Sequence, residues 1–89
     1  MFLDDELNQI YERDGFCVET SKKLLRTALD RLPDPLKCGE KGFLNSIRQI
    51  DASWRLFCKK HKEYDQDGIK NFFINHIKIS ERIKRELRW

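Results

Sequence analysis

The chain has 89 residues and a net charge of +3; 37% of its residues are charged and 39% are hydrophobic. Its ten aromatic side chains supply a core to bury, which excludes a disordered chain, and its length excludes more than one small domain, so residues 1–89 should form a single helical domain. No apolar run approaches the roughly 20 residues of a membrane span, so we expect no membrane association.

Two helices are predicted in the first half of the chain. The first is capped by Asp4 and ends at Asp14-Gly15. The second is capped by Thr20 or Ser21, and Pro33-Asp34-Pro35 stops it because proline has no amide proton to donate. The apolar residues at helical spacing are Leu3, Leu7, Ile10 and Tyr11 in the first helix, and Leu25, Ala28, Leu29 and Leu32 in the second.

A third helix, over residues 43–61, is the clearest element. Residues 36–42 before it are predicted to be a connector, since Gly39 and Gly42 break helices. Its apolar stripe follows steps of 4-3-4-3-4 and lies within roughly 40° of one line on a helical wheel. The stripe consists of Phe43, Ile47, Ile50, Trp54, Phe57 and His61. The neighbouring flank is basic and consists of Arg48, Arg55, Lys59 and Lys62.

A fourth helix is predicted from Asp65 or Asp67 onwards. Its inner stripe contains Ile69, Phe73, His76, Ser80, Ile83 and Leu87, and its outer face Lys70, Lys78, Arg82, Arg85 and Arg88. In a hairpin with the third helix, His76 would lie opposite Trp54, so His76 or Ser80 should accept the indole hydrogen bond. The expected fold class is all-α, a small bundle of four helices in two helical hairpins.

Two arrangements of metal-ligating residues fail on spacing. Asp65 and Asp67 fit an EF-hand loop, but Ile74 stands where its bidentate glutamate belongs. Cys58 and His61 could face one metal, but the hairpin would place His76 roughly 12 Å further along the axis. We therefore expect neither a metal nor a cofactor.

Catalysis has little support in the sequence. Cys58 and His61 are the one cysteine–histidine pair close in sequence, and no orienting carboxylate or oxyanion hole is evident, so we expect a protein that is not an enzyme. Cys17, Cys38 and Cys58 are odd in number and far apart, which predicts reduced thiols. Together with the acidic start of the chain, this predicts a cytoplasmic protein.

Positive charge is concentrated after residue 20. The first 20 residues hold six acids and one base, and the remainder has a net charge of +8. The basic flanks of the third and fourth helices could follow a phosphate backbone, so a nucleic-acid-binding helical domain is the alternative hypothesis. Asp51, Glu81 and Glu86 lie among these bases, however, as in ion pairs on a solvated face.

Apolar residues outside the stripes favour a protein partner. Leu56 and Ile74 point away from the stripes of their helices, and Trp89 ends the chain. The main hypothesis is thus a non-catalytic protein-interaction module that binds a protein partner or a second copy of itself. The partner-binding residues under the two hypotheses are Arg48, Arg55, Leu56, Lys59, Lys62, Ile74, Arg82, Arg85 and Trp89.

The composition suggests an origin. Two alanines against eight isoleucines and ten lysines are typical of an AT-rich bacterial or phage genome. The expected role is that of a small accessory or regulatory protein of a bacterium, phage or mobile element.

Overall fold

Residues 2–89, the part of the chain described by the computed structural model, form five α-helices and no strand. The helices are α1 (Leu3–Asp14), α2 (Val18–Asp30), α3 (Pro35–Lys60), α4 (Gly68–His76) and α5 (Glu81–Leu87). The all-α prediction is confirmed, whereas the predicted number of four helices is wrong because the last one is divided. Within residues 2–89, no helix has both the length and the apolarity to cross a bilayer.

The predicted fourth helix is interrupted at residues 77–80. Ile77 adopts an extended backbone (φ −131°, ψ 153°), and Ser80 caps α5 by accepting a hydrogen bond from the Ile83 N–H at 3.2 Å. A serine that can accept an N–H in this way favours the start of a new helix over the continuation of an old one. Ile79, in the interruption, is buried with the core.

The first two helices begin earlier than predicted. The N-cap of α1 is Phe2, and Asp4 lies in the first turn instead of capping it. The N-cap of α2 is Cys17, whose Sγ accepts a hydrogen bond from the Thr20 N–H at 3.4 Å. The predicted caps, Asp4 for α1 and Thr20 or Ser21 for α2, are therefore wrong. At α2 the Cys17 thiol accepts from one of the first free N–H groups, whereas α1 begins without a side-chain cap.

Residues 36–42 are helical instead of forming a connector. Asp34 caps the start of α3, its Oδ1 accepting a hydrogen bond from the Leu36 N–H at 3.0 Å. Gly39, with φ 76° and ψ 170°, then separates this first turn from the rest of α3. The prediction of a break is thus confirmed at Gly39 and wrong at Gly42, which lies within the helix.

The predicted stripe of α3 is buried throughout and forms the centre of the hydrophobic core. Its members are Phe43, Ile47, Ile50, Trp54, Phe57 and His61. Residues of the other four helices complete this core, among them Leu7, Leu24, Phe73 and Ile83. The 3.6-residue period therefore identified the core side of the longest helix correctly.

Helices α1 and α5 lie on opposite flanks of α3 and run in its direction. The start of α1 lies beside the middle of α3, where Leu3 and Ile50 line one groove, and Tyr11 near its end stacks on His61. The ion pairs that place α5 are Arg82–Glu40 (3.6 Å) and Arg48–Glu86 (3.8 Å). Helices α2 and α4 contact each other on the core side.

Trp54 has a different hydrogen-bond partner from the one predicted. Its ring is 2% exposed, and its Nε1 donates to the main-chain oxygen of Asp65 at 3.0 Å. His76 is exposed and stacks on Phe72 with ring centroids 4.1 Å apart. The prediction of His76 or Ser80 as acceptor is therefore wrong, because the turn before α4 crosses the indole and satisfies it with backbone.

Candidate interaction surface

One strip of the solvent side of α3, next to α1, carries no charge over about three turns. We call this set of residues the uncharged face: Asn45, Gln49, Ala52, Ser53 and Leu56. A helical wheel places Asn45, Ala52 and Leu56 opposite the core stripe and Gln49 and Ser53 on the side of α1, with Arg48 and Arg55 on the other side. Leu56 is 59% exposed, and in a chain with 37% charged residues such a face is unusual. The missing charges could have been noticed in the sequence at the same helical spacing as the core.

A groove of about 500 Å³ opens beside the uncharged face. It lies between the start of α1, the end of α2 and residues 46–53 of α3. Phe2, 78% exposed, lies at its rim, and Ser46 and Gln49 line its wall. Arg31 closes one end and forms an ion pair with Glu6 of α1. The groove and the uncharged face together form one continuous surface of low charge.

The three apolar residues predicted to bind a partner lie apart. Leu56 faces away from α4, since Trp54, which meets the start of α4, lies on the opposite side of α3. Ile74 of α4 is 38% exposed. Trp89 is half-buried and packs against the core, with its ring 6.4 Å from that of Phe73. Of the three, only Leu56 belongs to the uncharged face.

Three of the basic residues predicted to bind a partner form ion pairs within the chain. The pairs are Arg48–Glu86 (3.8 Å), Arg55–Asp51 (3.1 Å), Arg55–Asp67 (3.5 Å) and Arg82–Glu40 (3.6 Å). Exposed pairs add little stability, but each carboxylate would repel a phosphate brought to its arginine. Lys59, Lys62 and Arg85 form no ion pair with any residue of the range 2–89.

A polar cluster at the end of α3 was not predicted. His61 is 9% exposed, and its Nε2 lies 2.7 Å from Asn8 Oδ1, to which an Nε2–H would donate. The Tyr11 ring stacks on the imidazole at 3.8 Å, and the Tyr11 hydroxyl donates to Glu63 Oε1 at 2.8 Å. Nothing in the spacing of these residues signals that they meet, because α1 and the end of α3 are brought together only by tertiary packing.

This cluster links α1 to the turn after α3. Burial of the imidazole lowers the pKa of His61, and the charge of Lys60 lowers it further. The hydrogen bond from Tyr11 lowers the pKa of the Glu63 carboxyl, after the contribution of its own backbone N–H. The arrangement therefore favours a neutral imidazole held between helices, with a carboxylate at the surface.

We expect the protein to lose stability as the pH falls below about 6.5, the ordinary pKa of histidine in an unfolded chain. Because the pKa of His61 is lowered by folding, the unfolded chain binds more protons in the range between the two pKa values. The contribution of the His61 environment to the free energy of unfolding is fully present above this range and decreases as the pH falls through it. Urea denaturation at a series of pH values measures the effect.

Two glutamine variants serve as the control for this pH dependence. His61→Gln should remove the decrease in this pH range, whereas His76→Gln should retain it, because the His76 ring lies at the surface. An equal decrease in the wild type and in His61→Gln would show that the buried imidazole is not its source.

The three cysteines are free and lie in different surroundings. Hydrogen bonds from the Thr20 hydroxyl and N–H lower the pKa of the exposed Cys17, whereas burial raises the pKa of Cys58 to about 11. Cys38 is exposed near the start of α3. In the described range 2–89, no group of three or more histidine, cysteine, aspartate or glutamate residues is arranged to hold a metal.

The structure defines a small all-helical protein whose distinctive surface is an uncharged helix face with a groove on one side and a basic flank on the other. No protein-family model, curated protein or solved structure matches the chain.

Proposed function

We propose that the protein is a non-catalytic protein-interaction module that binds its partner through the uncharged face and the adjoining groove. The observation that carries the proposal is the exposed Leu56 on a helix face without charge. The cores of protein interfaces are depleted of charged residues, whereas a merely solvated helix face usually carries them. By composition, we assign the module to the cytoplasm of a bacterium, or to a phage or mobile element, as an accessory or regulatory protein.

Leu56 and Phe2 would provide the apolar part of the binding energy. Complete burial of a leucine or phenylalanine side chain contributes roughly 1.5–3 kcal/mol, so two such residues are enough for a small hot spot. Asn45, Gln49 and Ser53 can exchange hydrogen bonds with water for hydrogen bonds with the partner. Because these side chains are uncharged, covering them costs much less than covering charged groups, provided that their hydrogen bonds are replaced.

The basic flank would guide the partner to this face. Lys59 lies one turn beyond Leu56 on the side of Arg55, and Lys62 follows it in the turn after α3. Bases at the rim of an interface mainly accelerate encounter with an acidic surface and add less to final affinity. In this proposal, Ile74, Arg82 and Arg85 are peripheral contacts, and Trp89 mainly stabilises the fold.

Nucleic-acid binding is the second candidate. It is favoured by Lys59, Lys62 and Arg85, the predicted contact bases that form no ion pair within residues 2–89. If these three bases neutralise three phosphates, the logarithm of the affinity for duplex DNA should fall with the logarithm of the salt concentration with a slope of about −3. The carboxylates beside the neighbouring arginines weigh against this candidate.

One pair of variants tests the proposed function. Leu56→Glu should abolish the capture of a protein partner from an extract of the host, because it places a charge on the uncharged face. Val18→Glu is the matched control, since Val18 is 69% exposed at the start of α2, away from this face. Equal capture by both variants would contradict the proposal.

A second experiment separates the two candidates. Fluorescence polarisation with labelled duplex DNA and single-stranded RNA at low salt should show no binding if the protein binds only proteins. Binding that is lost on replacing Lys59, Lys62 and Arg85 by glutamine, and unaffected by Leu56→Glu, would favour nucleic-acid binding.

A further inference from the structure

We infer that the partner on the uncharged face is a second copy of this chain, bound as a two-fold dimer with its two α3 helices parallel. This inference rests on the proposed function and names the partner that the face would bind. It follows from the spacing of the residues on α3, from the charges on either side of α3, and from the dimensions of the molecule.

The spacing of the uncharged face suits a helix of the same kind. Four members of the face, continued by the charged Lys59, follow steps of 4-3-4-3: Asn45, Gln49, Ala52, Leu56 and Lys59. Two long helices that pack along their length have this spacing. Ala52, at the middle, permits close approach of the helix axes. The aliphatic chain of Lys59 can cover apolar surface while its amine stays in water.

The charges on either side of α3 are opposite in sign. On one flank lies α1, where Asp4 and Asp5 form no ion pair within residues 2–89. On the other flank lie Lys59 and Lys62, which also form none there, and Arg55, which is paired with Asp51 and Asp67. Glu12 of α1 lies 3.7 Å from Lys60, so the end of α1 is level with Lys59 along the length of α3.

These signs select one orientation of a symmetric dimer. A two-fold axis parallel to α3 places α1 of each copy against the basic flank of the other. An axis perpendicular to α3, in the plane of the interface, would instead place the acidic α1 helices against each other, which is unfavourable. Asp5 of α1 is exposed and forms no ion pair within residues 2–89, so it can reach the partner's basic flank.

The dimensions of the molecule suffice for this interface. Residues 40–60 of α3, beyond the break at Gly39, rise by about 32 Å and can lie along the longest dimension of the molecule, which measures 36 × 23 × 19 Å. A face containing α3 can therefore supply the roughly 800 Å² that each partner contributes to a standard interface. In a two-fold dimer both copies use the same patch, which must therefore be complementary to itself. A surface that runs from the acidic α1 across the uncharged face to the basic flank is self-complementary in this way.

The mass in solution tests the inference. Sedimentation equilibrium of the wild-type chain should give twice the chain mass of 10.8 kDa. Leu56→Glu and Ala52→Glu should shift it to the monomer mass, with unchanged helical circular dichroism, and Val18→Glu should remain dimeric. A wild-type chain that is monomeric up to its solubility limit, or dimers that persist in both face variants, would overturn the inference.

Cross-linking tests the orientation. In a background of Cys17→Ser and Cys38→Ser, oxidation of Gln49→Cys should form a disulfide between copies if the helices are parallel. In an antiparallel pair centred on Ala52, residue 49 would lie opposite residue 55 instead. Val18→Cys in the same background is the control; cross-linking of Gln49→Cys no greater than that of Val18→Cys would overturn the parallel dimer.

The outcomes separate this inference from the proposed function. A monomeric wild-type chain that captures a different protein, with capture lost in Leu56→Glu, would overturn the dimer and leave the proposed function standing. A monomeric wild-type chain that captures the same proteins, in the same amounts, as Leu56→Glu does would overturn both. A dimer that dissociates in both face variants and cross-links at residue 49 supports both.

Discussion

Replacement of Trp54 by alanine should lower the free energy of unfolding by about 3–5 kcal/mol, a large part of the roughly 5–15 kcal/mol available to a small protein. The indole is 2% exposed, with its centroid 5.6 Å from that of Phe57 and 6.0 Å from that of Tyr64. It also lies against Gly68 at the start of α4. Its removal would leave a cavity where α3, the turn after it and α4 meet.

Trp54→Phe separates packing from hydrogen bonding. The phenyl ring fills most of the space but cannot donate to the main-chain oxygen of Asp65, which the indole reaches at 3.0 Å. The Asp65 oxygen still accepts from the Gly68 N–H at 3.0 Å, so the loss is that of one hydrogen bond, about 0.5–1.5 kcal/mol. Urea denaturation followed by circular dichroism should therefore rank the wild type above Trp54→Phe, and Trp54→Phe above Trp54→Ala.

Leu56→Ala is the matched control on the same helix. Its side chain is 59% exposed, and an exposed apolar truncation usually changes stability by less than about 0.5 kcal/mol in a monomer. This comparison is made at a protein concentration at which the mass is that of the monomer, so that no interface contributes. A loss in Trp54→Ala no greater than in Leu56→Ala would refute the central role of the indole.

Gly15→Ala should destabilise the fold by about 1–3 kcal/mol for a purely conformational reason. Gly15 has φ 74° and ψ −172°, a combination that L-residues rarely adopt. A Cβ at this position would meet nothing within 4 Å, so no steric contact adds to the cost. The strain is transmitted to the fold because α1 and α2, joined here, both contribute to the core. Thermal denaturation of the two proteins measures the difference.

Gly39→Ala provides a comparison with almost the same backbone conformation. Gly39 has φ 76° and ψ 170°, and a Cβ there would also meet nothing within 4 Å. Residues 35–38 before it are exposed, so this turn can unwind without uncovering the core. We therefore expect a loss of less than about 1 kcal/mol from Gly39→Ala. Equal losses of stability in Gly15→Ala and Gly39→Ala would contradict the prediction that strain at the junction of α1 and α2 affects the core more than strain at Gly39.

The side of α3 that faces the core could be predicted, because six residues at helical spacing all lie on it. Phe43 to His61 repeat at the helical period, and burial of such a stripe is the largest favourable term in folding. The break at Gly39 and the stop at Pro33-Asp34-Pro35 are likewise local backbone properties. Helix starts were placed less well, since several adjacent side chains can accept the same first N–H groups.

The contacts between helices were decided by tertiary packing. The acceptor for the Trp54 indole could not be inferred from register, because a backbone oxygen in the turn at Asp65 reaches it before any side chain of α4 does. The pairing of His61 with Asn8 depends on α1 lying parallel to α3. The division of the basic flank into paired arginines and unpaired lysines depends on carboxylates contributed by other helices and turns.

The sequence by itself determined that this chain is all-helical, that α3 buries the stripe from Phe43 to His61, and that Leu56 lies off that stripe. These properties follow from residue spacing and backbone preference, which act over a few residues. Only the tertiary structure decided that Leu56 belongs to an uncharged face with a groove beside it, while Trp89 turns into the core. Such surfaces depend on which helices lie side by side, and residues distant in the chain determine that.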